Sequence, residues 1–143
     1  MFVVNNVWCV VVIKVGVFDF VSRYVVPAIK RRIVKILYFE YGYNQMTISD
    51  LLGISQSSVS KYASKQKKLN IDLSNVEFAE AKIRGLINEI ENKNLDSKDL
   101  ELAISKLAIE LLRGKHLCRY HSLLEKEIKV DSCEICVKLF KEV

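Results

Sequence analysis

The stretch that decides the fold spans residues 44–65 and reads NQMTISDLLGISQSSVSKYASK. It predicts two short helices with a bend between them. Asn44 and Ser55 can each cap a helix by accepting a hydrogen bond from a free backbone N–H. Gly53 suits the bend, because a left-handed backbone angle costs a residue with a Cβ about 1–2 kcal/mol. Ser49 is small where the two helices would cross. The apolar positions that would form one shared buried face are Ile48, Leu52, Ile54, Val59 and Tyr62.

This pattern predicts a helix-turn-helix whose second helix lies in the major groove of double-stranded DNA. Gln56 can bond adenine through N6 and N7, and Lys61 can reach a guanine or a phosphate. Gln45, at the start of the first helix, would bind a phosphate. One such head covers only a few base pairs, so we expect a homodimer on a palindromic site. The side chains expected to face DNA are Gln45, Thr47, Ser55, Gln56, Ser57, Ser60, Lys61, Ser64 and Lys65.

The positive charge of the chain is concentrated on the same segment. Residues 20–70 carry nine lysines and arginines against two acidic residues, whereas residues 71–143 carry 12 basic and 14 acidic residues. Such an excess is typical of a surface that faces phosphates, although a basic run can also be an ordinary solvated face. Half of the 143 residues are hydrophobic, and five Gly and one Pro leave few breaks, which favours long helices around a real core.

The opening residues, 1–20, are strongly apolar and rich in β-branched side chains, which favours a short strand. The stretch is too short for a comfortable membrane span, and it contains Lys14 and Asp19. It also lacks the charged start and small-residue cleavage site of a secretory signal. We therefore expect a cytoplasmic protein with no membrane partner. The segment could pair with a second chain, or the start codon could lie too far upstream.

The remaining sequence predicts amphipathic helices. Pro27 suits the first turn of a helix that Gly42 would end, with the basic residues at 30–32 and 35 largely off its apolar stripe. That stripe consists of Ile29, Ile33, Ile36 and Leu37. Residues 74–77 have capping-box form and would start a helix after the helix-turn-helix. Asp96 or Ser97 would start the next helix, which would end at Gly114. The residues of that helix expected to face inward are Leu100, Ile104, Leu107 and Leu111.

The two helices expected after residue 74 could complete the core of the head or form a dimer bundle. These patterns divide the chain into an apolar N-terminal segment (1–22), a DNA-binding head (23–70) and a helical C-terminal region (71–143), with a polar linker around 65–68. The predicted fold class is all-α, with a short N-terminal strand as an option.

The C-terminal region also contains two pairs of metal-ligand residues. Cys118 and His121 form the first pair, and Cys133 and Cys136 form the second, giving C-x2-H-x11-C-x2-C. Two residues between ligands allow a short turn to aim both side chains at one ion, and the longer spacing allows the chain to return. Zinc suits these ligands, and an iron–sulfur cluster is the second choice because its ligands are more usually all cysteine.

Two alternatives to a metal site are open. The thiols could be inert buried groups, with Cys136 in a helix beside Phe140. Cys133 and Cys136 could instead form a disulfide or a redox pair, which most cytosols disfavour. Cys9 matches no ligand spacing, and His116 is a spare ligand or a surface residue.

The sequence resembles a group of archaeal transcriptional regulators with a phage-repressor-like (XRE-type) helix-turn-helix. The similar runs are VVPAIKRRI at 25–33 and LLGISQSSVSKY at 51–62. Members of the group read close to L-P-A-I-R and L-L-G-I-T-Q-A-A-V-S-Q-Y, and they often end in a Cys-x-x-Cys pair. The resemblance implies a lambda-repressor-like head with a helical C-terminal part. It implies the function of a transcriptional regulator but no effector or target gene.

Three positions depart from the pattern of that group. Phe18 stands where a Cys is often found, so any role of that Cys is in doubt here. Residues 65–68, KQKK, replace a Gly-Lys-Arg-Gly run, which keeps charge but loses the glycines. Lys61 stands where Gln is common, which suggests a different operator or an added phosphate contact.

Two other classes of function compete with DNA binding. In an antitoxin-like or architectural protein, the helical surfaces would serve assembly with another chain. An enzyme is disfavoured, because the chain has no phosphate-cradling Gly-rich loop, no distinctive pair of catalytic carboxylates and only two His. The Cys-x-x-Cys pair also lacks the strand–helix pattern of a thioredoxin-like fold.

Overall fold

The computed structural model describes residues 2–4, 7–9, 13–64, 71–93 and 95–142. Two three-residue strands, β1 (Phe2–Val4) and β2 (Val7–Cys9), form an antiparallel pair. The rest of the regular structure in these ranges is helical, as the sequence predicts. The α-helices are α1 (Val17–Phe20), α2 (Val26–Lys35), α3 (Gln45–Leu52), α4 (Gln56–Ala63), α5 (Glu77–Glu91), α6 (Ser97–Arg113), α7 (Cys118–Leu124) and α8 (Ile135–Leu139). Among the helices that the structure describes, none combines the length and the apolar character needed to cross a membrane.

The first two α-helices belong to one continuous helix over residues 17–40. A π-helical turn, Val21–Val25, joins α1 to α2, and a second π-helical turn, Ile36–Glu40, follows α2. Pro27 lies in the first turn of α2, as predicted, but the continuous helical segment begins ten residues earlier, at Val17. Pro27 lacks an N–H and would crowd the carbonyl four residues back in a regular α-helix. The wider turn directly before it, where the Val26 N–H donates to the Val21 carbonyl, accommodates the proline.

One hydrophobic core includes residues from Phe20 to Phe140. The predicted stripe of α2 is confirmed, since Ile29, Ile33, Ile36 and Leu37 are fully buried. Burying each such side chain stabilises the fold by about 1.5–3 kcal/mol. Helices α5 and α6 complete this core through Ala79, Ile83, Ile87, Ile90, Leu100, Ile104, Leu107, Ala108, Leu111 and Leu112. The predicted segment boundaries at 22 and 70 thus do not separate independent cores.

The starts of α5 and α6 differ in how well the sequence predicts them. The capping box expected at 74–77 is wrong. The Ser74 hydroxyl and N–H both donate to Asp72, which caps a 3₁₀ turn, Leu73–Asn75, and α5 starts after it without a side-chain cap. Asp96 caps α6 as predicted, and it forms a capping box with Asp99.

Ion pairs join the long helix to α5. Arg32 donates to both carboxylate oxygens of Glu80, at 2.8 Å from Nε and 2.6 Å from Nη2. Arg84 donates to Glu80 and also to Glu40 at the end of the long helix. These contacts hold the C-terminal helices against the segment that packs behind α3 and α4.

Candidate nucleic-acid interface and the cysteine-rich tail

Helices α3 and α4 are joined by a short turn with the predicted local geometry. Gly53 ends α3 with a φ of 64°, in the left-handed region. The Asn44 side chain accepts from the Thr47 N–H at 2.8 Å, and the Ser55 hydroxyl accepts from the Ser58 N–H at 3.1 Å. All three predictions, two caps and one glycine bend, are confirmed.

Ser49 forms a specific hydrogen bond in addition to being small at the helix crossing. Its hydroxyl donates to the Ile54 carbonyl at 2.5 Å, so it bridges the end of α3 and the turn. The Ile54 N–H returns to the Ser49 carbonyl at 3.2 Å. Sequence reasoning missed this bond, although a Ser five residues before a turn carbonyl is the signal that could have indicated it. The reciprocal pair fixes the angle at which α4 leaves the turn.

The shared inner face of α3 and α4 is packed against the long helix. Ile48 and Val59 are fully buried and Leu52 is nearly so, while Ile54 and Tyr62 are half-buried. These are the five apolar positions that the sequence assigns to this face. The packing leaves the opposite face of α4 as its outer surface.

The outer face of α4 is exposed and polar. Gln56, Ser60 and Lys61 are exposed, and their side chains make no hydrogen bond or ion pair with other described residues. Three of the other predicted contact residues are already engaged: the Ser55 hydroxyl bonds those of Ser57 and Ser58, and the Ser64 hydroxyl donates to the Lys61 carbonyl. The predicted residues outside this face fall as follows: Thr47 is exposed, Gln45 is half-buried, and Lys65 lies outside the described residues.

The basic residues of α2 contribute less outward charge than their number suggests. Arg31 lies off the apolar stripe in sequence, yet it is only 6% exposed, and its guanidinium carbon lies 5.8 Å from the ring centroid of Tyr62. Burial lowers the pKa of the Arg31 guanidinium, and the nearby Tyr62 opposes that shift. Arg32 is bound to Glu80, and Lys30 lies 3.9 Å from Glu101. The charge excess of residues 20–70 is therefore partly neutralised within the chain.

Exposed apolar side chains lie beside the start of α3. Phe39 is 66% exposed and Met46 is 60% exposed, and Tyr41 lies between them in sequence with 44% exposed. These three residues were not among the predicted contact residues. The signal was present, because Phe39 and Tyr41 fall off the apolar stripe of α2. We call these three exposed side chains, which precede or begin α3, the apolar margin.

The three described cysteines of the tail are neighbours in space. Cys118 starts α7 and is buried, Cys136 lies in α8 and is buried, and Cys133 is half-buried. Burial, reinforced by the nearby Cys118 and Cys133 thiols, raises the pKa of Cys136 to about 11. Burial also raises the pKa of Cys118. These two groups are therefore thiols rather than thiolates at neutral pH, which disfavours a redox role for them.

His121 is bound to the N-terminal segment rather than to the cysteines. Its Nε2 lies 2.6 Å from the Val15 carbonyl oxygen, and its ring stacks on Phe20 at a centroid distance of 4.6 Å. One turn later, Glu125 accepts from the N–H of Val15 at 3.1 Å and from that of Lys14 at 2.5 Å. The described ranges contain no group of three or more His, Cys, Asp or Glu side chains placed to hold a metal ion.

His116 is not placed as a spare ligand. It is half-buried, and its ring stacks on Phe78 at 4.8 Å. This contact anchors the loop after α6 to the start of α5.

The chain was compared with protein-family models, with curated proteins and with solved structures, and none of the three comparisons finds a match.

Proposed function

We propose that this protein is a sequence-specific, dimeric regulator of transcription that binds double-stranded DNA through a lambda-repressor-like, XRE-type helix-turn-helix at α3 and α4. The observation that carries the proposal is the outer face of α4, where Gln56, Ser60 and Lys61 are exposed while the inner face is buried. A helix held rigidly from behind, with a short polar outer face, suits insertion into the major groove.

The contacts would divide between bases and phosphates. Gln56, in the first turn of α4, would bond an adenine edge, and Lys61 would reach a guanine or a phosphate. Short serines such as Ser60 allow close approach more than they specify a base. The N–H groups at the start of α3, with Gln45, would bind a phosphate.

The second candidate function is an antitoxin-like or architectural role, in which these helices dock on another protein. The apolar margin formed by Phe39, Tyr41 and Met46 favours it. The ion pairs of Arg32 with Glu80 and of Lys30 with Glu101 also favour this function, because a strong phosphate-binding surface would leave such positive charges available for phosphates.

For the tail we propose a bound zinc ion, with an iron–sulfur cluster as the second choice. Donor chemistry supports this, since thiolates and an imidazole are ligands that zinc prefers. The ligands would be Cys118, Cys133, Cys136 and His121, and His121 would use its Nδ1 atom because its Nε2 atom bonds the Val15 carbonyl. Cys118 and His121 lie one helical turn apart on α7. Metal analysis of the anaerobically purified chain tests the proposal: one zinc per chain supports a structural site, iron with sulfide supports a cluster, and neither metal removes the idea.

Selection of binding sites from random double-stranded DNA, followed by affinity measurements over a range of salt concentrations, tests DNA binding. Gln56→Ala should weaken binding to the selected site by about 1–3 kcal/mol and relax sequence preference. Lys65→Ala should weaken binding to selected and random DNA alike. Asn88→Ala, at an exposed position of α5, is the control and should change neither.

Two results would reject the proposal. One is an equal loss on selected and random DNA for Gln56→Ala. The other is an affinity that does not fall with salt, because phosphate contacts release counterions and protein docking does not track that release.

A further inference from the structure

A groove runs between α5 and α6 on the surface of the molecule. Its apolar lining consists of Ala81, Gly85, Leu86, Ala103 and Leu107. Its volume is about 310 Å³, which is enough space for several side chains. The buried faces of both helices already contribute to the core, so the groove is a second, outward surface of the same helix pair.

Nothing in the part of the chain that the structure describes requires glycine at position 85. Gly85 lies in the middle of α5, and a Cβ built there would have no heavy atom of the described residues within 4 Å. Glycine is a poor helix former compared with alanine, so an exposed glycine at this position weakens the helix. Neither its backbone conformation nor packing among the described residues accounts for the glycine. Close approach of another surface from outside would account for it.

Leu102 forms a ridge next to the groove. It lies on α6 and is 55% exposed. It adjoins Ala103 and Lys106, which also line the groove. A ridge and a groove that share residues on one face allow two copies to fit together reciprocally, each ridge entering the groove of the other copy.

The charges around this face suit a second copy rather than a nucleic acid. Three lysines and four carboxylates surround the ridge and groove, so the face is close to neutral and carries both signs. Among the described residues, three of these charges form weak ion pairs: Lys82 lies 3.7 Å from Glu110, and Glu101 lies 3.9 Å from Lys30. The charged residues of the face are Lys82, Lys98, Lys106, Glu89, Asp99, Glu101 and Glu110.

From these observations we infer that the α5–α6 face is the interface of a two-fold symmetric homodimer, with Leu102 of each protomer inserted over Gly85 of its partner. This deepens the proposed function, because it supplies the surface for the dimer that a palindromic DNA site requires. The dimer itself does not depend on DNA binding.

Sedimentation equilibrium of the full chain over a micromolar concentration series tests the inference. The wild type should reach twice the 16.4 kDa mass of one chain. Leu102→Glu places a charge in the apolar contact, and Gly85→Leu fills the groove with a better helix former; each should raise the dissociation constant more than about tenfold. Leu123→Glu is the matched control, because Leu123 is 73% exposed on α7, outside this face, and its substitution should leave the dimer intact.

Circular dichroism of each variant establishes that the helices are retained. Loss of the dimer in both folded variants, with the control unchanged, upholds the inference. A wild type that is monomeric throughout, or a dimer that persists in both variants, overturns it. Sedimentation equilibrium is measured without DNA. A chain that forms this dimer but binds no operator would therefore uphold the interface and reject the proposed function.

Discussion

Gly53 is a residue at which the backbone, rather than space, demands glycine. Its φ is 64°, yet a Cβ built there would contact nothing within 4 Å. We expect Gly53→Ala to lower the free energy of unfolding by about 1–2 kcal/mol, because an L-residue is strained in the left-handed region. Urea denaturation of the purified variant measures the change.

Gly85 provides a control for that prediction within the same chain. It also leaves open space for a Cβ, but it lies within a regular helix. Gly85→Ala, measured at concentrations low enough to keep the chain monomeric, should raise the free energy of unfolding by about 0.5–1 kcal/mol. Equal effects at both glycines would show that φ at Gly53 is not the cause.

Ser49 can be tested by removing a single oxygen atom. Ser49→Ala deletes the bond to the Ile54 carbonyl and should lower the free energy of unfolding by about 0.5–1.5 kcal/mol. Because the bond fixes the exit of α4, the variant should also bind DNA more weakly. Ser60→Ala, at an exposed position of α4 whose hydroxyl bonds no described residue, is the control for stability. Equal stability of Ser49→Ala and the wild type would assign Ser49 no role beyond its size.

Because the pKa of the Cys136 thiol is raised, we expect the rate at which Cys136 is alkylated to depend on pH. Since its pKa is raised to about 11, only a small fraction is thiolate at neutral pH, and that fraction increases tenfold for each pH unit up to the pKa. In the metal-free chain, iodoacetamide should therefore modify Cys136 slowly at pH 7 and progressively faster as the pH rises. Peptide mapping by mass spectrometry measures the rate, and rapid modification of the folded chain at pH 7 would contradict this assignment.

At the scale of elements, the Arg32–Glu80 pair connects α2 to α5. The Arg32 hydrogen bonds lower the pKa of Glu80 from its ordinary value of 4.5. A carboxyl whose folded-state pKa is lowered stabilises the fold above its unfolded pKa, and this contribution is lost as the pH falls through the folded-state pKa. Glu80→Gln should thus lower the free energy of unfolding at pH 7 by about 1–2 kcal/mol, since solvent reaches part of the pair.

The same variant gives the sign of the pH effect. The stability difference between the wild type and Glu80→Gln should shrink as the pH falls below 4.5, because the wild-type carboxyl then becomes protonated as well. Urea denaturation at a series of pH values measures it. Glu142→Gln, at an exposed position near the C-terminus, should show no such difference at any pH.

Helix starts were predictable where the cap lies within one turn of its helix. Asn44, Ser55 and Asp96 illustrate this, because each side chain bonds a backbone N–H only three residues away. The start of the long helix was not predictable from Pro27, because the π-helical turn before it depends on packing of residues 17–25 against the core. At 74–77, the neighbouring Asp72 competed for the Ser74 hydroxyl and changed the local structure.

For the whole molecule, contacts between residues that lie far apart in the sequence could not be predicted from the sequence. The outer face of α4 could be predicted because α3 and α4 are adjacent in sequence. The burial of Arg31 could not, since it depends on contacts made after the chain folds back. His121 is the clearest example: its spacing from Cys118 suggests a metal ligand, yet its ring nitrogen bonds Val15, 106 residues earlier.

That long-range contact leads to a prediction about the N-terminal segment. Glu125 is 5% exposed and accepts the N–H groups of Lys14 and Val15, so it holds this segment to α7. Glu125→Ala removes Oε2, the oxygen that accepts both bonds, and should increase amide hydrogen exchange over residues 13–20 by about tenfold, with little change in α3 and α4. Glu127→Ala, which removes an exposed carboxylate two residues later, is the matched control. Unchanged exchange over residues 13–20 would show that the stacking of Phe20 on His121 holds the segment without Glu125, whereas faster exchange throughout the chain would show that Glu125 supports the whole core.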